Sequence, residues 1–82
     1  MLVTYDPEVD ASYVRVSDGA VVSTDSFTDL VAVDLDAAGV PVGLEVLKAP
    51  AAVSSADEAM VTDRYPGLRV AFDALRRITQ LA

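Results

Sequence analysis

The sequence contains no cysteine and no histidine. Without cysteine there is no disulfide, no zinc thiolate centre and no thiol nucleophile. Without histidine the usual proton shuttle and the commonest metal ligand are missing, and a Ser-His-Asp triad in its ordinary form is excluded. Basic residues are scarce: six Lys and Arg stand against 13 Asp and Glu, a formal net charge of −7. Affinity for DNA or RNA rests on cations that neutralise phosphates, so no nucleic-acid partner is expected. An anionic membrane surface is disfavoured for the same reason. A basic protein partner fits the charge, although an acid excess also simply keeps a small domain soluble. Long hydrophobic runs are lacking as well. No stretch approaches the roughly 18 apolar residues of a membrane span. The opening "MLVTYDPEVD" has neither the basic segment nor the apolar run of a signal peptide. A cytoplasmic protein with no membrane contact is the expectation.

What is present is a folding composition. The chain has 82 residues, 52% of them hydrophobic and 23% charged, which suits one domain over residues 1–82. A domain of this size buries only about 60% of the surface its unfolded chain exposes, so self-association is one way to gain stability.

Residues 1–47 have the patterning of strands and turns. "LVTY" (2–5) is rich in β-formers and ends at "DPEVDA", where Pro7 and the acidic residues favour a turn. "SYVRV" (12–16) alternates Val14 and Val16 with Tyr13 and Arg15. Asp18-Gly19 is the best short hairpin signal, and a two-residue loop there sets Val16 against Val21 and Val14 against Ser23. "LVAVDL" (30–35) and "VPVGLEV" (40–46) form the next pair. A four-residue loop from Asp36 to Gly39 pairs Leu35 with Val40, Val33 with Val42 and Val31 with Leu44 on one apolar face. The other face then pairs Asp34 with Pro41, Ala32 with Gly43 and Leu30 with Glu45.

After Pro50 the period changes from two to 3.6. "SADE" (55–58) is a Ser-x-x-Glu capping box that opens a helix through about Val61. Pro66 re-aims the chain. Leu68, Ala71, Phe72, Leu75, Ile78 and Ala82 then recur at helical spacing, with Arg69, Asp73, Arg76, Arg77 and Gln80 on the other side. Asp73 and Arg77 form an i,i+4 pair. The architecture expected is α+β: an antiparallel β-meander of four to five strands over 1–47, then a helical tail over 55–82 whose two helices pack on one face.

Two acidic groups invite a metal reading. In "DLDAAGVPVGLE" (34–45), Asp34, Asp36, Gly39 and Glu45 occupy the first, third, sixth and twelfth places of a calcium loop. In the hairpin register above, however, Glu45 lies about 13 Å along the ladder from Pro41, the partner of Asp34, at about 3.3 Å per residue. The fifth place is Ala38, and the flanks have strand period rather than helical period. The turn reading is favoured. "DPEVD" (6–10) offers three more carboxylates that can hold a hard cation, but Asp, Pro and Glu are also ordinary turn formers. No metal, cofactor or catalytic residue is assigned. Tyr5 and Tyr13 are read as packing residues with a hydroxyl at the rim. A pair of carboxylates for acid–base work needs one of them desolvated in a pocket, and one sheet with one helical layer leaves little room for that.

"TYDPEVDASYVRVSDG" (4–19) followed by "VAVDLDAAGVPVGLEVLKA" (31–49) resembles a family of small prokaryotic proteins, the domain of unknown function 2283. The shared features are Tyr5-Asp6-Pro7-Glu8, Asp10-Ala11, Tyr13, the Asp34-Asp36-Gly39 turn and Gly43-Leu44-Glu45, in that order and spacing. Ser12 departs from the bulkier residue often found there. The resemblance covers about the first 49 residues and implies a β-meander followed by helix. It implies no activity. Some members look like partners of small toxins.

The function expected is a non-catalytic interaction or regulatory module, with a small-ligand or metal-ion binder, or an antitoxin-like partner of a small basic toxin, as alternatives. The helices have apolar residues for only one sheet face. Tyr13, Val22, Leu30, Ala32 and Gly43 fall on the second, an apolar surface of low relief that marks self-association or a partner. A two-fold homodimer through that face is the expectation.

Overall fold

A computed structural model describes residues 1–48 and 53–81. The chain runs β1 (Leu2–Asp6), β2 (Ala11–Arg15), β3 (Ser23–Ser26), β4 (Val31–Leu35), β5 (Pro41–Leu47), α1 (Ser55–Arg64), a 3-10 turn (Pro66–Leu68) and α2 (Arg69–Leu81). All five strands pair antiparallel in one sheet, in the order β1-β2-β5-β4-β3. This is the expected α+β meander with two helices after it. The meander comes in two runs, β1-β2 and β3-β4-β5, joined where β2 meets β5.

The join corrects the hairpin expected at Asp18-Gly19. β2 pairs with β5, setting Val14 against Leu44, while β3 lies at the far edge beside β4. A two-residue turn of the primed type needs positive φ, and the described residues with positive φ are Asp10, Gly39 and Lys48. Composition explains the preference. β3 reads Ser-Thr-Asp-Ser and has no apolar side chain to set beside Val14. An edge suits it, and the all-apolar face of β5 fills the centre. Residues 16–22 therefore cross the end of the β4–β5 hairpin, held by the Val16 and Ser17 amides, which donate to the Val42 carbonyl at 2.8 and 3.3 Å.

The β4–β5 hairpin has the expected partners but a register shifted by two residues. Val33 faces Leu44, Val31 faces Val46, Ala32 faces Glu45 and Asp34 faces Gly43. The cause is the turn. The Asp36 amide donates to the Val40 carbonyl at 2.9 Å, which closes a three-residue loop with Gly39 left-handed at φ 79°. Asp36 Oδ1 accepts the Ala38 and Val40 amides, both at 2.9 Å. A register irregularity beside Asp34 and Leu35 then inserts one further residue in β5. Beyond the irregularity the shift is even, so Val31–Asp34 and Gly43–Val46 keep their faces, whereas Pro41, now opposite Leu35, changes to the helical side.

The covered face carries Val14, Val31, Val33, Leu44 and Val46, buried against Val61, Leu68, Ala71, Phe72 and Leu75 of the helical layer. Burying each of these large apolar side chains contributes about 1.5–3 kcal/mol. α1 begins one residue earlier than the Ser-x-x-Glu pattern suggests. Ser54 is the N-cap, accepting the Asp57 amide at 3.1 Å, and the helix continues to Arg64. Glu58 is thereby free to pair with Arg76, which ties α1 to α2. The apolar stripe of α2 holds through Leu75, but Ile78 is 46% exposed, beyond the end of the core. Ala82 lies outside the described residues. Asp73 meets Arg76 at 3.1 Å, one residue short of the Arg77 partner expected. Among the described residues no helix is long and apolar enough to cross a membrane.

Candidate functional site

The sheet face away from the helices is open. Alternation places Thr4, Tyr13, Glu45, Ala32 and Ser26 in one row across all five strands. Leu2, Arg15, Gly43, Asp34 and Thr24 form the next row. The two rows are stitched together by one side chain. Tyr13 stands opposite Glu45 and leans over the neighbouring Gly43, so that its hydroxyl donates to Asp34 Oδ2 at 2.8 Å. Thr24 donates to the other oxygen, Asp34 Oδ1, at 2.7 Å. Three strands, β2, β4 and β3, are thus linked through a single carboxylate, across the top of β5. Gly43 is required here for space: a Cβ would overlap the Tyr13 hydroxyl and ring.

This geometry determines what the groups can do. Burial, then the hydrogen bond to Asp34 and its negative charge, push the Tyr13 phenol up to about 12. At neutral pH it is a fixed donor, not a base or a nucleophile. Asp34 has both oxygens engaged. Arg15 turns back along the sheet, donating from Nη2 to the Gly19 carbonyl at 3.0 Å. Glu45, by contrast, is exposed and has no ion-pair partner among the described residues. Beside it lies an open recess of about 290 Å³ lined by Ser26, Thr28, Asp29, Leu30, Ala32 and Glu45. A second, more apolar recess of about 410 Å³ lies between Val16 and Pro41 on the sheet and Tyr65, Gly67 and Leu68 on the helical corner.

The residues assigned from sequence to an apolar interface separate. Tyr13, Gly43 and Ala32 do lie together on β2, β5 and β4. Leu30 instead packs against the core cluster just before β4. Val22 is 65% exposed ahead of β3, its amide bonded to the Leu35 carbonyl. The centre of the face is polar, not apolar. The register shift is the reason: it moves Asp34 from Pro41 to Gly43, within reach of Tyr13, while the β3–β4 pairing sets Thr24 opposite Asp34. Thr24 is the residue of this cluster that the sequence pattern does not single out; Asp34 enters there only as a place in the calcium-like spacing, although strand alternation already puts it on this face.

The acidic residues of the calcium-like spacing have separate occupations. Asp34 serves Tyr13 and Thr24, Asp36 serves its own turn, and Glu45 faces Ala32. In the "DPEVD" turn, Asp6 Oδ1 accepts the Glu8 amide at 3.0 Å, and Asp10 Oδ1 accepts the Tyr5 hydroxyl at 2.7 Å. Among the described residues no three acidic side chains converge on one point.

Comparison with known proteins agrees with the sequence pattern. The family model described as protein of unknown function (DUF2283) matches residues 2–49, which span all five strands. No curated protein and no solved structure matches the chain.

Proposed function

The chain belongs to the DUF2283 family, and on that footing we propose that it is a non-catalytic interaction module of the cytoplasm, regulatory in role, which engages a basic protein through the open face of its sheet. The observation that carries this reading is the Tyr13–Asp34–Thr24 linkage over Gly43. It makes a rigid, pre-organised polar surface whose hydroxyls and carboxylate are spent on one another rather than aimed at a substrate. Beside it Glu45 supplies a charge with no ion-pair partner among the described residues, and the net charge of −7 favours a cationic partner at longer range. A small basic toxin has the chemistry required, which is the antitoxin-like form of the same proposal. The test is quantitative capture from native lysate on immobilised wild type and Glu45→Lys. A basic protein retained by the wild type and lost on the variant supports the reading; identical captures on both contradict it.

A small-ligand or ion binder is the second reading, favoured by the recess where Ser26 and Thr28 stand beside Asp29 and Glu45. Calorimetric titration with Ca²⁺ and Mg²⁺ decides the ion form: saturable binding that Glu45→Gln abolishes supports it.

A further inference from the structure

We propose that two copies of this chain join edge to edge through β1, about a two-fold axis at Thr4, into one continuous sheet. This goes beyond the open-face reading and does not rest on it. Strand polarity shows which groups are available. In β2 and its flanks, the Val16 amide and the Asp10 carbonyl bond toward β5 and the segment after it, at 2.8 and 2.6 Å. Backbone groups alternate along an antiparallel strand, so Ala11, Tyr13 and Arg15 turn the other way, toward Asp6, Thr4 and Leu2 of β1. The N–H and C=O of Val3 and Tyr5 are left pointing outward from the sheet. A strand offering such a row is a template for another strand unless something guards it.

Among the described residues nothing guards β1. Leu2–Asp6 has no proline, no lysine and no register irregularity. The opposite edge is shorter and carries an inward-pointing charge. β3 has only four residues, and Asp25 on it is tied to the helical corner. The Tyr65 hydroxyl donates to Asp25 at 2.9 Å, Arg64 lies 3.4 Å away, and Phe27 packs edge-on against the Tyr65 ring.

The free row on β1 is also self-complementary. A two-fold axis at Thr4 sets Val3 against Tyr5 of the second copy and Tyr5 against its Val3, so the outward N–H and C=O groups of both residues pair reciprocally. The side-chain pairs are aromatic with β-branched, and threonine with threonine, both favourable across strands. No like charges oppose each other, because Asp6 falls opposite Leu2. Exposed apolar side chains collect along this margin: Leu2 and Tyr5 on β1 and Val9 in the following turn. α2 lies over β2. Its Arg76 points toward α1, which puts the exposed Ile78 on the flank turned away from α1. The open face makes a poorer self-contact, since Glu45 lies on it beside Ala32 and would approach its own copy.

The experiment is sedimentation equilibrium at tens of micromolar on wild type, Thr4→Lys and Ala32→Lys. Thr4 is exposed in the single chain, so the variant folds, which circular dichroism verifies. At the axis two lysines meet directly, and the dimer dissociation constant should rise by about tenfold or more. Ala32→Lys makes the same charge change on the open face and should leave the dimer intact. Hydrogen exchange adds a readout that needs no variant: the Val3 and Tyr5 amides should gain protection as concentration rises. A monomeric wild type, a Thr4→Lys dimer of unchanged affinity, or a dimer split by Ala32→Lys overturns the proposal.

Discussion

Placing a methyl group on Gly43 tests the organisation of the open face at its tightest point. The new Cβ would occupy the space of the Tyr13 ring and hydroxyl, so Tyr13 must swing away from Asp34. A hydrogen bond to a charged group contributes about 1.5–3 kcal/mol net, and the half-buried position of Tyr13 puts this one at the low end. Displacing the ring also returns a few tens of Å² of apolar surface to water, about 1 kcal/mol. Opposing this, alanine loses less backbone freedom than glycine in a strand, worth about 0.5–1 kcal/mol. The balance is a loss of about 1–2 kcal/mol, or roughly 5–15 °C in melting temperature for a domain this small. Thermal denaturation followed by circular dichroism measures it. The same substitution in a Tyr13→Ala background should be neutral or stabilising, because the obstruction has gone. A double-mutant cycle should therefore give a coupling of at least about 1 kcal/mol. Equal effects of Gly43→Ala in both backgrounds would refute the argument that Tyr13 is the reason for the glycine.

The phenol of Tyr13 lies above its ordinary value in the folded chain, at about 12. Its stabilisation is thus fully present below pH of about 10 and lost as pH rises through 12. Chemical denaturation from neutral to alkaline pH should show the wild-type advantage over Tyr13→Phe constant at first and then shrinking; a constant difference up to pH 12 contradicts the assignment. Ser54→Ala should cost about 1 kcal/mol in denaturant titration and Ser55→Ala close to nothing, since Ser54 caps α1; the reverse order would move the cap. Tyr65→Phe keeps the ring contact with Phe27 but loses the bond to Asp25, at about 1 kcal/mol, and hydrogen exchange should accelerate in β3 ahead of the central strands.

Much of the fold is legible in the sequence because the burial pattern is simple. Val31, Val33, Leu44 and Val46 alternate cleanly, and Leu68, Ala71, Phe72 and Leu75 repeat at helical spacing, so strands, helices and the covered face follow from period alone. Pairing is harder. Asp18-Gly19 has the local signature of a hairpin, yet a local preference of a few tenths to one kcal/mol yields to the burial gained by setting Val14 beside Leu44. The register of β4 and β5 depends on how Asp36 caps its turn and on one extra residue in β5, features of backbone geometry that side-chain pattern does not encode. The candidate site inherits that uncertainty. Alternation places Tyr13, Asp34 and Gly43 on one face, but only the shifted register brings Asp34 under the Tyr13 hydroxyl and turns an expected apolar surface into a polar one. Alternation alone puts Leu30 on that surface as well, but it precedes β4 and packs toward the core.

The central claim is that the open face engages a basic protein, and site-specific photo-crosslinking in living cells tests it most directly. A photoreactive residue at Ser26, exposed in the same open-face row as Glu45, samples the open face, and one at Val70, exposed on α2, samples the helical side. The account predicts a crosslink from position 26 to one basic protein, absent from position 70 and suppressed by an added Glu45→Lys. Crosslinking of a protein from position 70 with none from position 26 would contradict it.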